Sequence, residues 1–196
     1  MKKAVLLLII LISVSGCGGT LASLYGVNYA NPNDYNAVSV KTEIIYDSYE
    51  DQTKIKAPIV YAQNNLFGHT YFLRAFAKGR EYNNPSVIQI YVDAYLQDWA
   101  FLDRAYANGR ELNVTPISRD VGSCSSYGCT VHEHIGINIT LAELLEYQGT
   151  GLNVKISGNK GSITIAIPAV YFKAFSDFLK KGVLNHRISE VGNKDT

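Results

Sequence analysis

Val87-Ile88-Gln89-Ile90-Tyr91-Val92-Asp93-Ala94-Tyr95-Leu96-Gln97 alternates apolar and polar side chains almost without a break. Successive side chains of a strand point to opposite faces, so Ile88, Ile90, Val92, Ala94 and Leu96 share a dry side. Gln89, Tyr91, Asp93, Tyr95 and Gln97 share the wet one. Residues 131–139 repeat the pattern, with Val131, Ile135, Ile137 and Ile139 inward and His132, His134 and Asn138 outward. Leu152, Val154 and Ile156, then Ile163, Ile165 and Ile167, predict two more strands around the turn-rich loop 157–162. Segments 38–46 and 71–77 are further strand candidates. Strands at this spacing predict a mainly β fold, an antiparallel β-sandwich or open barrel, built from residues 37–196 as one domain.

Two helices interrupt the strands. Thr140-Leu141-Ala142-Glu143 is a capping box that starts a short helix ending near Gly149. Pro168 suits the first turn of a second, amphipathic helix toward the C-terminus. Its Tyr171, Phe172, Phe175, Phe178 and Leu179 recur at helical spacing, with Lys173, Asp177, Lys180 and Lys181 opposite. The aromatic stripe is expected to cover one end of the sheet as core. Residues 74–83 and 104–113 echo one another, sharing Arg-Ala, Ala and Gly-Arg-Glu, and read as two similar strand–turn–strand units. A functional reading sets Arg80 and Arg110 on one edge as anion contacts.

At the other end of the chain, Lys2 and Lys3 precede the apolar run 4–12, and Ser13-Val14-Ser15-Gly16 leads into Cys17. A positive start, an apolar middle and small residues at a cleavage point make residues 1–16 a signal peptide. The run is too short for a bilayer span of roughly 17–25 residues. Val14-Ser15-Gly16-Cys17 resembles the lipobox of bacterial lipoproteins, with Val14 where that family more often has leucine. The resemblance covers only the first twenty or so residues. It implies cleavage before Cys17, acyl chains on that cysteine and a membrane attachment made by lipid alone. Gly18, with no aspartate after the cysteine, resembles the sequences sent to the outer membrane. Residues 17–36 then read as lipidated cysteine and flexible tether. Losing Lys2 and Lys3 changes the formal charge from +1 to −1, and a near-neutral chain without a basic run argues against nucleic acid as partner.

Cys124 and Cys129 are the cysteines left once Cys17 is acylated, and in an exported protein such a pair is expected to be a disulfide. Two alternatives use the imidazoles of His132 and His134, which share a strand face: a metal site of histidines alone, or a zinc site completed by both thiolates. Glu133 falls between them on the apolar side, where a carboxylate either serves as general acid or base or reaches water or an arginine. His-Glu-His lacks the second histidine of a His-Glu-x-x-His metalloprotease helix, since Gly136 stands there. Nucleophile-elbow, phosphate-loop and dinucleotide signatures are absent from the sequence. Tyrosine is abundant, 14 residues against 7 phenylalanines, and Tyr91 and Tyr95 lie on the wet face as candidate contacts for a ligand. The expectation is a non-enzymatic, lipid-anchored binding or scaffold module of the cell envelope, with an envelope protein or glycan as partner and no obligatory cofactor. The alternative is an envelope hydrolase or metal-binding protein centred on His132 and His134, with zinc as the candidate ion.

Overall fold

The alternating segments become strands of one curled sheet. The computed structural model describes residues 28–62, 68–126, 128–182 and 189–190. Among these, the strands are β1 (Glu43–Asp47), β2 (Gln52–Lys56), β3 (Val60–Tyr61), β4 (Thr70–Lys78), β5 (Val87–Leu96) and β6 (Leu102–Ala107). They continue with β7 (Arg110–Ser125), β8 (Gly128–Ile139), β9 (Leu152–Gly158), β10 (Ser162–Ile167) and β11 (Ser189–Glu190). The helices are α1 (Tyr35–Lys41), α2 (Leu141–Thr150) and α3 (Ala169–Lys180). The strand order is β10-β9-β6-β7-β8-β5-β4-β2-β1-β11, with β3 also on β4. Pairing is antiparallel throughout except between β1 and β11. The sheet curls into a half-barrel, in keeping with the open-barrel expectation.

The apolar side of the alternation packs around α3. Tyr171, Phe172, Phe175, Phe178 and Leu179 are buried with Ile88, Ile90, Val92, Ile135 and Ile137 in one cluster. Tyr171 meets Tyr71 edge-on at 5.6 Å, and its hydroxyl donates to the Pro58 carbonyl at 2.7 Å while accepting from the Leu73 amide at 3.3 Å. A buried phenol with both roles satisfied locks the helix to β4 without an orphaned polar atom. The aromatic stripe is core. The capping box also forms: Thr140 accepts from the Glu143 amide at 3.1 Å, and Glu143 accepts from the Thr140 amide at 2.8 Å.

Three readings need correction. Residues 38–41 are helix, not strand. Asp34 caps α1 by accepting from the Ala37 amide at 2.9 Å. Val38-Ser39-Val40-Lys41 alternates in sequence like a strand, but Val38 is buried while Val40 faces solvent, as helical spacing and not strand parity requires. Residues 28–36, assigned to the tether, belong to the fold, since Tyr29 bridges Ile59 and the Ala30 amide donates to the Ile59 carbonyl at 3.1 Å. Cys17 and the signal segment lie outside the described residues. The echoed segments also differ in form. Asn108 and Gly109, with φ of 50° and 74°, make a tight turn between β6 and β7, whereas β4 reaches β5 through the longer connection 79–86.

The strand β7 has no counterpart in the sequence reading. Its inner end pairs with β6 at residues 110–112, and its outer part runs beside β8 as far as Ser125–Gly128. Most of it is exposed, and Pro116 and two register shifts interrupt the ladder. No helix among the described residues is long and apolar enough to cross a membrane.

Candidate functional site

The wet face of β5 and β8 carries the chemistry. Antiparallel register sets Asp93 directly opposite His134 and Tyr95 opposite His132. On the far side of β8, β7 sets Asp120 opposite His132. Cross-strand and diagonal neighbours on one face lie within side-chain reach. His132 Nδ1 is 2.8 Å from Asp93 Oδ1, and His134 Nδ1 is 3.8 Å from the same oxygen. His134 Nε2 is 3.3 Å from Asp120 Oδ2. One ligand atom from each of Asp93, His132 and His134 falls within 4.8 Å of the others. The three are half-buried, with side-chain exposures of 26%, 31% and 18%.

Aromatic rings extend this cluster in both directions. Phe72 stacks on Tyr91 at 4.7 Å, Tyr91 lies 5.8 Å from the His134 ring, His134 stacks on His132 at 6.1 Å, and Tyr95 meets His132 edge-on at 5.2 Å. The Arg74 guanidinium covers Tyr91 at 4.7 Å and is held by Gln89 through hydrogen bonds of 2.9 and 2.7 Å. Desolvation raises the Tyr91 phenol above its usual range, with Arg74 opposing and Asp93 reinforcing the shift. Nearby, Tyr29 and Tyr61 stack at 4.9 Å. Burial, the hydrogen bond with Tyr61 and the charges of Tyr61 and Asp93 push the Tyr29 phenol up to about 12. His69 is lowered by burial, with Asp93 pulling the other way, so its imidazole is neutral at physiological pH. Buried Nδ1 atoms of His69 and His134 have no hydrogen-bond partner.

Glu133 points to the apolar side, as its parity predicts, and is 1% exposed. Its carboxylate accepts from the amides of Ala100 at 2.7 Å, Phe101 at 2.8 Å and Leu102 at 2.7 Å, and Arg119 closes over it at 3.4 Å. Both oxygens are thus engaged in pinning the connection from β5 to β6, where Phe101 adopts a φ of 55°. The carboxylate is a structural anchor, and the general acid or base reading loses its candidate.

Cys124 and Cys129 form the expected disulfide, across paired positions of β7 and β8. That removes the thiolates from any metal set and leaves the histidines. Arg80 lies 4.4 Å over the Tyr46 ring, whereas Arg110 pairs with Glu143 of α2 at 3.3 Å, so each arginine has its own surroundings. Asp47 accepts from the Tyr49 amide at 3.0 Å and Asp51 from the Tyr46 hydroxyl at 2.9 Å, as a turn between β1 and β2 requires. Sequence reasoning missed Asp93 and Asp120 as neighbours of the histidines. Asp93 was visible on the wet face, but only the register of β5 on β8 brings it to His134. No protein-family model, curated protein or solved structure matches this chain.

Proposed function

We propose that the chain is an exported, lipid-anchored, non-enzymatic binding module of the cell envelope that uses the polar face of β4, β5 and β8. One observation carries this reading: the unbroken row of rings from Phe72 through Tyr91, His134 and His132 to Tyr95, on the side of the sheet away from α3. Rigid rings with polar tips supply contact area at small entropic cost, and here neighbouring strands hold them in place before any ligand arrives. The lipobox supplies the address. Cys17 would carry the acyl chains, and two or more chains hold a protein stably on a membrane where one does not. The outer membrane is the proposed location, and an envelope protein or glycan the proposed partner.

The hydrolase reading has less to rest on, because Glu133 is consumed by three backbone amides and an arginine. Affinity capture with the detergent-solubilised, lipidated protein tests the proposal. The wild type should recover a discrete envelope component, and a Tyr91→Ala/Tyr95→Ala variant should lose it. Recovery of nothing by the wild type, together with hydrolysis of an envelope polymer, would contradict the proposal.

A further inference from the structure

We propose that Asp93, His132 and His134 hold one late first-row divalent metal ion of the zinc class, bound through the Nδ1 atoms of both imidazoles and one carboxylate oxygen of Asp93. The proposal rests on the reading of this polar face as the ligand-binding one, and it names a ligand class for it. Three linked features support it. The first is convergence: both Nδ1 atoms address the same oxygen, at 2.8 and 3.8 Å. A tetrahedral ion with donors at about 2.0–2.1 Å sets those donors roughly 3.4 Å apart, between the two observed separations.

The second feature is the orphaned Nδ1 of His134, a buried nitrogen without a hydrogen-bond partner. The opposite nitrogen, Nε2, lies 3.3 Å from the Asp120 carboxylate, whose charge favours the tautomer with the ring proton on that side. In that tautomer the Nδ1 lone pair lies 3.8 Å from the Asp93 oxygen, two electron-rich atoms side by side. A cation in that gap satisfies both. The third feature is Asp120 itself. A ligating histidine characteristically gives its other N–H to a carboxylate, which fixes the tautomer and raises the basicity of the donor nitrogen. His132 exchanges its present contact with Asp93 for the metal bond: a proton on Nδ1 is given up to solvent while Nε2 takes one up, so the bound ring stays a neutral imidazole.

The donor set decides the class of ion. Two imidazoles and one carboxylate suit zinc and its first-row neighbours, whereas calcium takes six to eight oxygens and magnesium an octahedral shell of oxygens and waters. Three protein ligands leave a fourth position for water or an incoming donor. Gly122 keeps the surrounding space open: a Cβ there would stand 2.6 Å from Thr130 Oγ1 and 3.1 Å from His132 Cδ2.

The full-length lipidated protein in detergent, freed of metal by chelation, is titrated with zinc chloride by calorimetry. One equivalent should bind. His134→Ala and Asp93→Asn should each weaken binding by at least about 100-fold, and Asp120→Asn, acting only through His134, by about 10-fold. Cobalt(II) in place of zinc should give the visible absorption of a four-coordinate ion. His134→Gln replaces the alanine variant if thermal melts show the latter unfolded. Absence of zinc binding, or equal affinity in the His132→Ala/His134→Ala double variant, would overturn the proposal and show the cluster to be ion-paired histidines alone. Loss of the captured envelope component on Tyr91→Ala/Tyr95→Ala without any zinc binding would overturn the metal and leave the ring face standing. Zinc binding without a recoverable partner would support the metal and remove the partner reading.

Discussion

Glu133 shows how much one residue's surroundings decide. By sequence it sits between two histidines and looks reactive; in the fold it faces away from them and organises the chain's turn from β5 into β6. A buried carboxylate accepting several amide hydrogens is costly to alter, because a glutamine keeps one acceptor oxygen but turns an NH2 group on the donors that the other oxygen served, in a dry site. Glu133→Gln should therefore cost about 2–4 kcal/mol of stability and expose the amides of residues 100–102 to hydrogen exchange. Urea unfolding with exchange mass spectrometry checks both. A variant as stable as the wild type would show that the carboxylate anchors nothing. Gly158 guards the same connection, since a Cβ on it would stand 2.3 Å from the Ala100 and Phe101 carbonyl oxygens. The histidines were legible as a pair from their spacing alone. Asp93 was not, because its partnership depends on which residue of β8 it meets, and alternation is silent about register.

Among the elements, those with a long, clean period were legible and those without one were not. The strands β5, β8, β9 and β10 and the helices α2 and α3 all announce themselves through alternation, a capping box or an apolar stripe. The strand β7 scatters its few apolar residues, Leu112 and Val114 at even positions and Ile117 and Val121 at odd ones, and carries a proline, so no sustained hydrophobic period marks it; pairing with β8 holds it in the sheet. The helix α1 is seven residues long and owes its place to tertiary contacts as much as to its cap. One of those contacts joins it to α3: the Tyr35 hydroxyl donates to Asp177 Oδ2 at 3.2 Å, beside Lys173 at 2.8 Å. Burial alone would raise the Asp177 carboxyl, but hydrogen bonds from Lys173, Tyr35 and Lys180 outweigh it and hold the group below the usual range. With the folded value below the unfolded one, the stabilisation is complete above about pH 4 and fades as pH falls through the folded value. Asp177→Asn should cost no more than about 1 kcal/mol at pH 7 and flatten the loss of stability below pH 4. Denaturant midpoints at pH 7 and pH 3 measure it. An acid limb identical to the wild type would assign the acid sensitivity to other carboxylates.

For the whole molecule, the sheet separates two tasks: one side seals α3 into the core, and the other presents rings and titratable groups in a fixed order. The proposed lipid on Cys17 would confine that second face to the membrane's neighbourhood, where effective concentration makes even weak contacts productive. Site-specific photo-cross-linking in intact cells tests the central claim most directly, with a photoreactive side chain at Tyr95, or at Val40, which is 84% exposed on α1, as control. The account predicts a discrete adduct from position 95 and none from position 40, and loss of that adduct when Cys17→Ser removes the anchor. Equal adducts from both positions, or a position 95 adduct undiminished by Cys17→Ser in a soluble cytosolic protein, would contradict it.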